Sequence, residues 1–258
     1  SRREVYGGAI AAGLFFSDRA AALPRVSRPA PLSKCLLWYR EPARYWVEAL
    51  PVGTGRLGAM VHGGVEEETL QLNEDTFWAG GPYDPANPGS LEALPRIREL
   101  IWQERFAEAQ DMANARMMGQ ALSQMSYQTL NALKVRSTVQ GTISDYRRWL
   151  DLGATEAVTT WKAAGRDYGR SVIASAADQV LFVRYWVDRG SLSLSIRAVR
   201  GDSSFSNGAL DVRGRNAGQH GIGGALGYAL GVEPQGDGME TGYENGQLIL
   251  SGREIAFI

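Results

Sequence analysis

The densest run of side chains able to do chemistry is Gln71-Leu-Asn73-Glu74-Asp75-Thr-Phe-Trp78-Ala-Gly-Gly-Pro-Tyr83-Asp84. It sets the carboxylates Glu74 and Asp75 beside the amides Gln71 and Asn73, with Trp78 and Tyr83 close by, on a stretch that turns rich in Gly and Pro. Loops on a rigid frame are where binding groups concentrate. Such a set suits a hydroxyl-rich ligand such as a sugar: ring faces lie on C–H patches while amides and carboxylates bridge hydroxyl groups. The same residue types also build structure, since Asp and Asn make turns and caps and Trp fills cores. The residues alone leave both readings open. Glycosidic hydrolysis needs a pair of carboxyl groups ~5–5.5 Å apart for retention or ~6.5–9.5 Å apart for inversion. Adjacent Glu74 and Asp75 would point to opposite faces of an extended strand, which is poor geometry for a pair.

Other chemistries fail more clearly. Gly53-Thr-Gly55-Arg-Leu-Gly58 matches G-x-G-x-x-G by letters, but no strand–helix crossover follows it, so a dinucleotide site is not expected. No P-loop, G-x-S-x-G elbow or H-E-x-x-H occurs in the chain. One cysteine, Cys35, and two distant histidines, His62 and His220, supply no metal-ligand spacing and no internal disulfide. Neither a metal nor a cofactor is expected. Arg213-Gly-Arg215 lies among glycines, and two arginines do not make a nucleic-acid groove. With 27 basic and 28 acidic residues the net charge is −1, so no global field advertises a nucleic-acid partner.

The elements that must position the block follow from periodicity. In Glu68-Thr-Leu-Gln-Leu-Asn73, Leu70 and Leu72 share one face and Gln71 and Asn73 the other, the period of a half-buried strand. Short apolar stretches, Leu36–Tyr39 and Leu57–Gly64, precede it. Between Ser90 and Gly119 the period changes: Leu94, Ile97, Ile101, then Phe106, Ala109 and Met112 recur at helical steps. This predicts one amphipathic helix or a pair, with Pro95 in a first turn and Gly119 as a stop. Strands are then expected at 130–136, 147–152, 156–163, 168–174, 180–187, 191–199, 209–213, 223–232, 238–243, 247–250 and 254–258. Turn signals at Ala164-Gly165, Ala177-Asp178, Arg189-Gly190 and Asn245-Gly246 separate them; the last is a strong hairpin signal. The expected fold is mainly β, a large β-sandwich with a short α-helical insert. Thirty-one glycines without a three-residue period fit many turns. The final Glu254-Ile-Ala-Phe-Ile258 reads as mid-strand, and an exposed apolar strand end is an aggregation hazard, so a longer parent chain is expected.

Residues 1–22 read as an address. Arg2-Arg3 precedes an apolar run from Val5 to Phe16, followed by small residues at Ala20 and Ala22, the pattern of a bacterial twin-arginine export signal. That run is shorter than the ~20 apolar residues of a membrane span. Residues 23–35, with three prolines, read as a linker, leaving 36–258 as the sandwich. Export would place the mature protein in the periplasm or outside the cell, with no membrane association once the signal is removed.

The motifs also carry a resemblance. Leu37-Trp-Tyr39, Trp46-Val-Glu-Ala-Leu-Pro-Val-Gly53, Gly55-Arg-Leu-Gly-Ala-Met60 and Leu70-Gln-Leu-Asn-Glu-Asp-Thr-Phe-Trp78-Ala-Gly-Gly-Pro82 stand in order. Met125-Ser-Tyr-Gln128, Asp145-Tyr-Arg-Arg148 and Asp178-Gln-Val180 follow. Together they resemble the amino-terminal region of glycoside hydrolase family 95, the bacterial and plant α-L-fucosidases. The resemblance implies a β-supersandwich packed against a helical (α/α)6 barrel, in an inverting hydrolase that removes terminal α-1,2-linked L-fucose or, in some members, galactose. The fucosylated or galactosylated oligosaccharide would then be engaged through that barrel. In the family the general-acid glutamate and the asparagine–aspartate pair that activates water lie on the barrel, which follows this domain. No catalytic residue therefore carries over to this chain, which is expected to be inactive alone. Asn73, Glu74, Asp75 and Trp78 are the candidates for a surface facing the barrel or its substrate. Thr54, His62 and Asn131-Ala132 depart from the family pattern and put local loop contacts in doubt. A free-standing carbohydrate-binding module is the alternative, and it needs an aromatic cleft that works without the barrel.

Overall fold

The computed structural model describes residues 35–236 and 238–258. The expected export signal and nearly all of the expected linker lie outside the described residues.

Two seven-stranded antiparallel sheets face each other, as the alternating pattern requires. In chain order the strands begin with β1 (Leu36–Tyr39), β2 (Leu50–Gly53), β3 (Leu57–Val61) and β4 (Glu67–Glu74). The helical insert, α1 (Ser90–Trp102) and α2 (Phe106–Arg116), leads into β5 (Asn131–Ser137). Then come β6 (Ser144–Asp151), β7 (Glu156–Ala163), β8 (Arg166–Ser175), β9 (Val180–Val187) and β10 (Leu192–Ala198). The chain continues through β11 (Asp202–Ser206), β12 (Ala209–Arg215), β13 (Gly227–Val232) and β14 (Pro234–Gln235). It closes with β15 (Glu240–Glu244), β16 (Gln247–Gly252) and β17 (Glu254–Phe257). One sheet runs β1-β6-β7-β8-β9-β17-β14, the other β15-β16-β10-β5-β4-β3-β2, and β11-β12-β13 form a small third sheet.

The core lies between the two large sheets. Leu70 and Leu72 of β4, Val135 of β5, Leu194 and Ile196 of β10, Val172 of β8 and Tyr185 of β9 are all buried there. By the same parity Glu68 also points inward, and it is fully buried. Its carboxylate pairs with Arg170 of β8 and accepts the N–H groups of His62 at 2.8 Å and Gly63 at 2.9 Å. Arg170 in turn donates to the Gly64 carbonyl and the Thr159 hydroxyl, so one ion pair ties β4 to the opposite sheet. Buried Arg148 works likewise from β6. It donates to the carbonyls of Glu41 and Glu48 at 2.7 Å each, while its guanidinium lies over the Tyr39 ring.

Several local expectations change. Pro95 sits well inside α1, which starts at Ser90, so the lost donor falls beyond the first turn. The buried stripe of the insert is Ala93, Ile97, Leu100 and Ala109, whereas Ile101 and Phe106 face solvent. Strand β11 lies outside the expected set: all five of its residues are exposed and show no inward apolar face. Residues 223–226 and 238–239 precede their strands instead of belonging to them. Finally, β17 is no exposed edge: it lies between β9 and β14 with Ile255 and Phe257 buried, so the aggregation argument does not apply.

Candidate functional site

The Gln71–Asp84 block leaves β4 at one open end of the sandwich. Asn73 and Glu74 lie on opposite faces of the strand, as alternation dictates. Glu74 shares the inward face of Leu70 and Leu72, and there its carboxylate is fully engaged. Thr76 donates both its N–H (2.9 Å) and its hydroxyl (2.6 Å) to one oxygen, and Arg56 Nη1 reaches the other at 3.3 Å. Partial burial pushes the Glu74 carboxyl up, but these donors outweigh it and hold it below the usual carboxylate range. Arg56 also donates to Gln179 Oε1 at 3.0 Å. The β2–β3 turn is thereby fastened to the β8–β9 turn, closing one lip of the sandwich. Thr54, one of the departures, accepts the Leu57 N–H at 3.1 Å and completes the β2–β3 turn. Gly53, Gly55 and Gly58 belong to this hairpin, so they cradle no dinucleotide.

Asp75 and Trp78 are exposed. The Trp78 indole N–H donates back to the Asp75 carbonyl at 3.3 Å, and the ring meets Tyr127 edge to face at 5.1 Å. Tyr127 donates its hydroxyl to the Glu74 carbonyl at 2.8 Å. Trp78, Tyr83 and Tyr127 are each about two-fifths exposed, so aromatic surface remains open to a ligand. The structure thus brings Glu74, at the end of β4, together with Asp75 and Trp78 of the loop that follows, and leaves Asn73 on the outer sheet face.

Residues distant in sequence hold this loop. Buried Asn216 donates its amide to the carbonyls of Trp78 (2.7 Å) and Gly80 (2.6 Å), and Gln128 accepts the Ala217 N–H at 3.0 Å. Tyr127 and Gln128 were visible in the Met125–Gln128 motif; Asn216, alone in a glycine-rich stretch, carries no local signal. Behind the loop lies a cavity of about 450 Å³ between the sheets. Its walls are apolar, including Leu57, Leu72, Val180, Leu230 and Phe257, and Arg56, Glu74 and Gln179 stand among its polar lining.

His62 and His220 are apart, one on the Thr69 carbonyl and the other on the Ser123 hydroxyl. Among the described residues no three His, Cys, Asp or Glu side chains gather as a metal site, and no helix is long and apolar enough to cross a membrane. The loop can recognise hydroxyl groups and sugar faces. The Glu74 carboxyl is held below its ordinary range, the opposite of the shift that a glycosidic general acid needs.

Comparison with known proteins agrees with the resemblance read from the motifs. The family described as "Glycosyl hydrolase family 65, N-terminal domain" matches residues 37–258. The chain is 35% identical to "Alpha-L-fucosidase 2" of Arabidopsis thaliana over 184 residues, covering 70% of this chain and 21% of that protein. It is 35% identical over 149 residues to "Probable alpha-fucosidase A" of Aspergillus niger, covering 54% of this chain and 18% of the relative. The Aspergillus oryzae protein of the same name is 32% identical over 153 residues, covering 56% and 20%. The chain therefore spans about a fifth of the length of these curated relatives. A family match across the whole described sandwich, together with fucosidase relatives aligned to it, places the chain in the glycosyl hydrolase family 65 N-terminal domain family, as a fucosidase-type glycoside hydrolase N-terminal domain.

Proposed function

We propose that this chain is the N-terminal β-sandwich of an exported, inverting hydrolase that releases terminal α-1,2-linked L-fucose from oligosaccharides. Its role is structural: it buttresses a helical barrel that carries the catalytic groups, and the end of β4 with the loop that follows it, residues 73–83, forms one wall of the sugar pocket. The observation that carries this reading is the state of the loop's carboxylates. Glu74 is consumed by Thr76 and Arg56 and held below its ordinary range, while Asp75 stands exposed beside it. A general acid needs the opposite shift, so the loop is built to position and recognise. The paired arginines and apolar run of residues 1–22 support export.

The test is release of L-fucose from 2′-fucosyllactose by the purified chain, with a thermal melt on the same sample. A cooperative melt without release is expected. Turnover that disappears in Glu74→Gln or Asp75→Asn would overturn the reading and make the sandwich an enzyme in its own right. The exposed Trp78–Tyr127 pair favours a second reading, a free-standing carbohydrate-binding module. Millimolar binding of L-fucose by the chain, lost in Trp78→Ala, would favour that module.

A further inference from the structure

The sheet that contains β4 turns one face to the core and the other to solvent, and the solvent face has a chemistry of its own. Alternation places Thr69 and Gln71 of β4, Lys134 and Arg136 of β5, and Ser195 and Arg197 of β10 on it, and none of them is buried. Lys134 stands directly opposite Arg197 in the ladder. Like charges in register repel each other and destabilise a sheet. A single carboxylate, Glu67, serves both neighbours, with Lys134 at 3.3 Å and Arg136 at 3.1 Å. Arg197 has no acidic partner among the described residues. Arg200, just past β10, extends the stripe. It donates to the Leu130 carbonyl and, with Gln71 and Gln128, lines a shallow hollow of about 410 Å³. The acidic residues Glu240 and Glu244 lie on the edge strand β15, away from this centre.

No aromatic ring projects from this face, so it lacks the stacking platform a neutral sugar uses. It offers instead four cations interleaved with hydroxyl and amide groups, on strands spaced about 4.8 Å apart. Guanidinium groups suit carboxylate and sulfate oxygens, and the hydroxyls suit a sugar backbone. We infer that the outer face of β4, β5 and β10 binds an anionic polysaccharide, a chain bearing uronate or sulfate groups, as a carbohydrate contact separate from the loop rim. Choosing a glycan over other polyanions rests on the glycoside-hydrolase membership of the chain. Fucose release plays no part in the test below, so its outcome is independent of the fucosidase reading.

The experiment titrates the full chain, at low and at physiological salt, with polygalacturonate, dextran sulfate, neutral dextran and duplex DNA. Binding to polygalacturonate or dextran sulfate that weakens with salt, without binding to neutral dextran, is expected. Preference between the two acidic glycans identifies uronate or sulfate as the recognised group. The double variant Lys134→Thr, Arg197→Ser should weaken binding roughly tenfold by removing two charge-assisted contacts. Arg197→Gln alone, at an exposed and unpaired position, should weaken it measurably if the double variant fails to melt cooperatively. Three results would overturn the inference: no binding to either acidic glycan at low salt, undiminished binding by the variants, or equal binding to DNA.

Discussion

Glu68 and Arg170 are two full charges buried between the sheets, and the hydrogen bonds around them make that tolerable. The carboxylate holds the N–H groups of His62 and Gly63, and the guanidinium holds Gly64, Thr159 and Tyr185. Removing one partner strands the other charge without water. Glu68→Gln should therefore cost about 3–5 kcal/mol, read as a drop in denaturant midpoint at unchanged slope. A loss below about 1 kcal/mol would mean that the pair is not closed in solution. The same cluster sets a pH limit. Burial, opposed by Arg170, pushes the Tyr185 phenol from 10.0 up to about 12. The folded chain keeps a proton that the unfolded chain gives up, so this contribution is complete below pH 10.0 and is lost as pH rises towards about 12. Unfolding midpoints taken from about pH 9 to about pH 11 should fall, and Tyr185→Phe should flatten part of that fall. An unchanged slope in the variant would remove Tyr185 from the explanation.

At the scale of elements, two glycines separate a strained turn from a close approach. Asn245-Gly246 joins β15 to β16 with both residues at positive φ, 50° and 76°, and a Cβ on Gly246 would meet nothing within 4 Å. Gly246→Ala should cost only the left-handed penalty, about 1–2 kcal/mol. A Cβ on Gly64, in contrast, would stand 1.9 Å from the Glu67 carbonyl oxygen, backbone that cannot swing aside. Gly64→Ala should cost about 3 kcal/mol or more, because shifting that segment also moves Glu68 away from Arg170. Thermal melts of the two variants rank them directly, and equal losses would show that the β3–β4 connection yields easily. The hairpin at Asn245-Gly246 was legible because alternating apolar residues flank it. Asn207-Gly208 makes the same kind of turn, at φ 50° and 80°, yet carries no flanking signal: β11 has a single apolar residue, Phe205, and joins β12 by its backbone ladder and the Ser206 hydroxyl donated to Asp211. In the insert, helical spacing alone could not distinguish the Ile97–Leu100 stripe from the Ile97–Ile101 one. The packing of α1 on α2 selects the first and leaves Ile101 in solvent.

For the whole molecule, the core is one continuous layer between the large sheets, whereas the insert has a small apolar cluster of its own around Ala93, Ile97, Leu100 and Ala109. Stability should differ accordingly. Amide exchange in α1 and α2 should be about a hundredfold faster than in β5 and β10, an opening gap of a few kcal/mol. Equal protection would show that the helices open only with the sandwich. The sequence determined the sandwich because burial on one face of a strand imposes a two-residue period, and that period is written locally from Glu156 to Ala198. It also displayed the residues of the rim, since Asn73, Glu74, Asp75 and Trp78 are contiguous in the chain. It could not say what those side chains do, because their partners come from far away: Arg56 in the β2–β3 turn, Gln179 from the other sheet, Tyr127 beyond the helices and Asn216 beyond eight further strands. Glu68 is the clearest instance. Its parity with Leu70 and Leu72 already pointed it inward, but a carboxylate survives there only opposite Arg170, about a hundred residues on, and folding alone brings the two together.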